Sequence, residues 1–226
     1  MSQTDSFIEE VTEEVRKDRL FSLIRRFGWL AVLVVFIIVG AAAWNEWNKA
    51  EARASAQATG DALLAAVEAN DDAARIVALK NVKVGSAEAQ VLADFLLATH
   101  QVIVGEAAAA GDSLDAVVTS SGDIPEIYRQ IAAFKSVVAR GSTVPVSERR
   151  EALEALAAPG MPLSLLAQEQ IALLDVEEGD TASAITKLNA LVLDANVSAG
   201  LRQRATQLIV ALGGAPAGAE NTAIDQ

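Results

Sequence analysis

The sequence predicts an all-α chain, with one N-terminal transmembrane helix followed by a solenoid of short helix pairs. Three observations point there. Residues Phe27 to Trp44 form an 18-residue run without a charged side chain. The composition is 52% apolar but only 4% aromatic, and alanine, the best helix former, supplies much of the apolar count. Glycine and proline fall mostly between segments of helical periodicity, at spacings that recur.

The first element is a leader over residues 1–26. Its stretch SFIEEVTEEVRKDR, residues 6–19, places Phe7, Ile8, Val11 and Val15 at helical spacing opposite Glu9, Glu10, Glu13 and Glu14. Ser6 with Glu9 fits a capping box. The spacing predicts a short amphipathic helix, either a solvated segment that only sets topology or a docking helix for a membrane partner. Its acidic face argues against lying flat on lipid.

The second element is the run FGWLAVLVVFIIVGAAAW, taken to residue 47 as the membrane span. At ~1.5 Å per residue, 18 residues cover about 27 Å, close to the ~30 Å hydrocarbon core. Trp29 sits at one edge and Trp44 and Trp47 at the other, where indole rings anchor at the lipid–water interface. A buried soluble helix would carry a polar stripe, and this run has none. A cleaved signal peptide has an apolar core of only ~7–15 residues, so the run reads as uncleaved despite the small residues Ala41, Ala42 and Ala43. Arg16, Lys17, Arg19, Arg25 and Arg26 precede the run, while only Lys49 and Arg53 follow closely. The positive-inside rule then predicts a cytoplasmic N-terminus and a large domain outside the cytoplasm, which in a bacterium means the inner membrane and the periplasm.

Residues 48–212 are predicted to be the helical domain. Residues 45–69 either continue the membrane helix or start a new one. Asn70-Asp71-Asp72 caps a short helix to about Val82, and Gly85-Ser86 opens a long one carrying Leu92, Phe95, Leu96, Val102 and Ile103. Gly111-Asp112 and Gly179-Asp180 lie 68 residues apart, and the break ending at Pro145 falls midway. The implied period of ~34 residues is that of tetratricopeptide repeats. The pairs are then about 86–110 with 112–120, 125–140 with 147–157, and 162–178 with 180–193. Gly122-Asp123-Ile124-Pro125 and Pro159-Gly160-Met161-Pro162 separate them. A last helix near 198–212, striped by Leu201, Ala205, Leu208, Ile209 and Leu212, closes the stack. Such pairs bury their apolar faces only against neighbours. Ala172, Ala184 and Leu188 take the small and large positions of the repeat, but Asp175 stands where an aromatic often does. The glycine- and alanine-rich stretch 213–226 predicts a disordered tail.

Charge and residue inventory exclude several functions. The net charge is −12, and residues after 26 hold 13 basic and 24 acidic side chains. That field repels phosphate backbones, so no nucleic acid is expected as a partner. With no cysteine and a single histidine, His100, neither a thiolate metal site nor a cluster of histidines can form. Neither a phosphate-binding loop nor a dinucleotide fingerprint is present. No catalytic residue, cofactor, metal or small-molecule substrate is expected. His100 reads as a polar residue at the margin of a repeat groove, and Glu177-Glu178 as a solvated helix end. Arg149-Arg150 reads as a solvated pair or a grip on an acidic peptide terminus. Of Tyr128 and Phe134, six residues apart, at least one belongs to the core.

In order along the chain, FIEEVTEEVRKDRL, the membrane run ending in WNEWNKA, and LLAQEQIALLDVEEGDTASAITKLNAL followed by LRQRA resemble the alphaproteobacterial branch of a known family. That family comprises single-pass inner-membrane proteins with a tetratricopeptide-like periplasmic domain, described as ancillary subunits of the Sec translocon (YfgM-type). The resemblance implies a scaffold or chaperone-like subunit that associates with the translocon and with periplasmic chaperones, including a prolyl-isomerase-like partner. A repeat subunit of another envelope complex, for cell division or outer-membrane assembly, is the alternative. The residues do not indicate which surface binds partners.

Overall fold

The computed structural model describes residues 3–217, and every regular element among them is helical. The order is α1 (Gln3–Val67), α2 (Asp72–Asn81), α3 (Ala87–Ile103), α4 (Ala107–Val118) and α5 (Glu126–Arg140). A 3-10 turn at Gly141–Thr143 leads to α6 (Val146–Leu156), α7 (Ser164–Glu177), α8 (Thr181–Leu193) and α9 (Ala199–Ala211).

α1 runs unbroken for 65 residues, and no proline within it breaks the backbone ladder. Residues 45–67 therefore continue the apolar helix. The helix is already under way at Gln3, so Ser6 is not its N-cap and the capping box is not used as one. The chain divides into two compact units, one up to Ala58 and one from Thr59 onward. The part of α1 from Arg25 to Val67 contains a window long and apolar enough to cross a membrane, and that window has no buried side chain. Such a helix, apolar all round, has no internal face to hide.

The second unit begins within the last turns of α1. Leu63 and Ala66 join Leu79 and Ala93 in one core cluster. Consecutive helices then pack on one another from α2 through to α9, and α3 also touches α5. Further clusters gather Val91, Val117, Ile124 and Ala132, Leu153, Leu156 and Leu174, and Leu188, Ala205 and Ile209. Ala110, Ala132, Ala167, Ala172, Ala184 and Ala205 are completely buried. Small side chains at the contact let helix axes approach closely, which is why so much alanine sits in the interior.

The helix starts follow local chemistry. The side chains of Asp71, Ser86, Asp180 and Ser198 each accept a hydrogen bond from the backbone N–H three residues on, satisfying an otherwise orphaned donor. The ends of α3, α5, α7 and α9 share another device. Gly105, Gly141, Gly179 and Gly213 all have positive φ, a conformation open to glycine without steric cost. They lie 36, 38 and 34 residues apart.

One expected turn is overturned. Gly111 lies buried inside α4, and the first within-pair turn falls at Gly105. A Cβ at position 111 would collide with Arg140 Nε, and the two next-nearest atoms also belong to Arg140. The glycine thus serves the close approach of an arginine from α5, not a turn. The break before Pro145 and the turn at Gly179 fall between helices as expected, as do both boundary motifs between pairs. The tail does not begin irregularly at Gly213. Gly213 N–H donates to Val210 O and Gly214 N–H to Ile209 O, the double bond of a glycine C-cap. Asn189 on α8 then pairs with Ala217 N–H at 2.7 Å and the Ala215 carbonyl at 3.5 Å. Residues 218–226 lie outside the described residues.

Candidate partner-binding surface

The apolar surplus of α3 and α5 builds a cleft. Along α3, Val91, Ala93 and Ala98 are buried, yet the helix ends on Val102 and Ile103, with Val104 following, and no neighbour covers that run. Val102 is 48% exposed and Ile103 59%. On α5, buried Ala132 faces the core while Val138, one helical turn beyond Phe134, stays 48% exposed. Val102, Ile103, Phe134 and Val138 wall a cleft of about 430 Å³ between the two helices, with Ala98 and Leu114 beneath. Its polar lining residues are Thr99 and Lys135. The Thr99 hydroxyl donates to the Phe95 carbonyl, so the Lys135 ammonium is left to face solvent.

A ladder of hydrogen-bonded and ionic contacts holds the neighbouring helices. Asp72 at the start of α2 accepts from His100 Nδ1 near the end of α3, at 2.8 Å. Asp112 on α4 accepts from Arg140 at the end of α5, at 2.9 Å, and Asp115 receives the same guanidinium. Arg149 on α6 grips Glu177 at the end of α7 through two bonds of 2.9 and 2.6 Å, while Arg150 reaches Glu178. In each junction one partner follows the other by 28 residues. The sign of the charges reverses at the third, so the position recurs but the residue type does not.

Electrostatics follow the geometry. The His100 bond, followed by Arg75, holds the Asp72 carboxyl below the usual range, and Arg149 does the same to Glu177. Asp175 is 4% exposed. Burial pushes its carboxyl up, but Lys187, Ser183 and Arg150 together outweigh that and hold it low. Charged hydrogen bonds of this kind are what make a buried carboxylate tolerable. Glu169, also buried, is held bidentately by Arg204 at 2.9 and 2.8 Å, linking α7 to α9.

These positions revise several expectations. His100 is paired with Asp72 and adjoins the lining residue Thr99 without itself lining the cleft. Arg149 is buried, at 7% exposure, so Arg149-Arg150 is neither a solvated pair nor open to a peptide terminus. Glu177 and Glu178 stand at the solvent-exposed end of α7 as expected, and there they pair with Arg149 and Arg150. Phe134 packs against a core cluster, and Tyr128 is 37% exposed. Trp29, Trp44 and Trp47 are exposed along α1. So are Arg25 and Arg26, with the Arg26 guanidinium 5.8 Å from the Phe27 ring centroid. The side chains of Arg16, Lys17 and Arg19 lie outside the described residues. The sequence marks Val102, Ile103 and Phe134 as apolar helix positions, but not as one cleft with Val138 and Lys135. Among the described residues no group of three or more ligating side chains could hold a metal ion.

A family model described as "Protein of unknown function (DUF2659)" matches residues 4–212. No curated protein and no solved structure matches the chain.

Proposed function

We propose that this chain, which belongs to the DUF2659 family, is a membrane-anchored protein-interaction scaffold or chaperone-like accessory subunit. Its place is the Sec translocon of the bacterial inner membrane, where it contacts periplasmic chaperones or emerging clients. The N-terminus is cytoplasmic and the helical domain periplasmic. The observation that carries the reading is a single chain joining a helix apolar on every side to a stack of helices with an uncovered apolar cleft. A tether raises the effective concentration of weak contacts at the membrane. The recurrence of a positive-φ glycine after α3, α5, α7 and α9 supports a tetratricopeptide-like repeat. So does the packing of each helix on its sequence neighbours. The translocon itself enters through the resemblance of the leader, membrane run and last helix pair. The test is copurification after mild detergent extraction. We expect the translocon or a periplasmic chaperone as the dominant partner. Recovery of a cell-division or outer-membrane-assembly complex in its place would move the scaffold elsewhere in the envelope, and recovery of no envelope protein would remove it altogether.

A further inference from the structure

Resting on the scaffold reading, we propose that the α3–α5 cleft receives a helix of a partner protein, which lays an apolar row between Val102, Ile103 and Val138 and sets one carboxylate against Lys135.

The size and lining of the cleft support a ligand. Its volume, about 430 Å³, lies in the ~300–1,000 Å³ range of built binding sites. Isolated exposed apolar side chains are ordinary on a surface, whereas a contiguous set lining a concavity marks an interaction site. Here the last turn of α3 and the outer face of α5 supply that set.

The form of the ligand follows from what the cleft lacks. An extended peptide carries an unpaired N–H and C=O at every residue and must find partners for those it buries. The Thr99 hydroxyl already donates to its own helix, and the remaining lining side chains apart from Lys135 are apolar. A helix satisfies its own backbone and presents only side chains, the way amphipathic helices enter apolar grooves. The occupant is therefore helical.

The carboxylate follows from charge. Neighbouring cations are spent inside the fold. Arg129 donates to the Ile124, Ser120 and Gly122 carbonyls, and Arg140, Arg149 and Arg150 all hold carboxylates. Among the described residues no carboxylate lies within ion-pair distance of Lys135, although the chain carries 30 acidic residues. The ammonium has three donors to place. The net charge of −12 gives an acidic partner no general attraction, and screening limits charge effects to about 8 Å at physiological salt. A carboxylate is thus favoured only where it meets Lys135, which fixes the register of the incoming helix.

Photo-crosslinking of the full chain in native membranes tests this. A benzoylphenylalanine is placed at Ile103 or Val138 in the cleft, and at exposed Leu193 on α8 as a control. We expect one major adduct from the cleft positions, absent from Leu193, mapping to an amphipathic helical segment with Asp or Glu beside its apolar row. Lys135→Glu should lower that adduct at least about tenfold, while Lys135→Arg retains it within about threefold. Because Lys135 is exposed, neither substitution perturbs the core, which circular dichroism can check. Equal adducts from Leu193, an extended or non-acidic crosslinked segment, or indifference to Lys135→Glu would each overturn the proposal. Copurification of an envelope partner without any cleft adduct would overturn it and leave the scaffold reading standing. Loss of both would end both.

Discussion

At the scale of single residues, Gly111 shows how one glycine can be misread. Glycine marks either a backbone that needs positive φ or a place where another group comes close, and the sequence does not distinguish them. The group that comes close, Arg140, is 29 residues away and arrives only when α4 and α5 pack. Gly105, the real turn, follows Val102-Ile103-Val104, which reads as continuing helix. The two effects of Gly111→Ala can be separated by magnitude. Helix propensity favours alanine by about 0.5–1 kcal/mol. Overpacking against Arg140, which must leave Asp112 and Asp115, costs about 1–3 kcal/mol. We expect net destabilisation of about 1–2 kcal/mol in thermal unfolding, since the second effect is larger. In an Arg140→Ala background the clash is gone, and the same substitution should become stabilising by up to about 1 kcal/mol. Equal effects in both backgrounds would show that Arg140 is not what Gly111 accommodates.

Between elements, carboxylates that are paired across helix junctions make those junctions sensitive to acid. Asp72, Asp175 and Glu177 are held below their ordinary values. A group whose folded pKa is depressed contributes stability above its unfolded value, and that contribution disappears as pH falls through the folded one. The window opens near pH ~4, where free carboxylates titrate. Asp94, raised by burial, acts in the opposite sense and offsets part of the loss. We expect the thermal midpoint of the detergent-solubilised chain to hold from neutral pH to about 5 and to fall below about 4. Glu177→Gln should lower it at neutral pH and flatten the acid decline. An unchanged pH profile in that variant would detach the Arg149–Glu177 pair from stability. The sequence held these partners, but as solvated charges. Their pairing depends on the register between helices, and the change of sign at the third junction hides the repeat from any comparison of residue types.

For the whole molecule, topology is testable because the chain has no cysteine. A single cysteine at Ser6 or Thr222 gives a clean reporter. With a membrane-impermeant maleimide and a permeabilised outer membrane, we expect labelling of Ser6→Cys only after the inner membrane is broken, and of Thr222→Cys before. The reverse pattern would invert the orientation that Arg16, Lys17, Arg19, Arg25 and Arg26 specify under the positive-inside rule.

Composition and periodicity were enough to give the helical character of every regular element among the described residues, and to locate a helix long and apolar enough to cross a membrane. The starts of α2 and α3 were legible in the same way, since Asp71 and Ser86 act on backbone groups three residues away. These features rest on local chemistry or on composition over one window, and both are written along the chain. Helix packing is what buries Gly111 beneath Arg140, pairs Arg149 with Glu177 and leaves Val102, Ile103 and Val138 uncovered beside Lys135. Each of those depends on how one helix is rotated and shifted against another. That rotation is set by the summed packing of many small side chains such as Ala132 and Ala172, and no short stretch of sequence contains it.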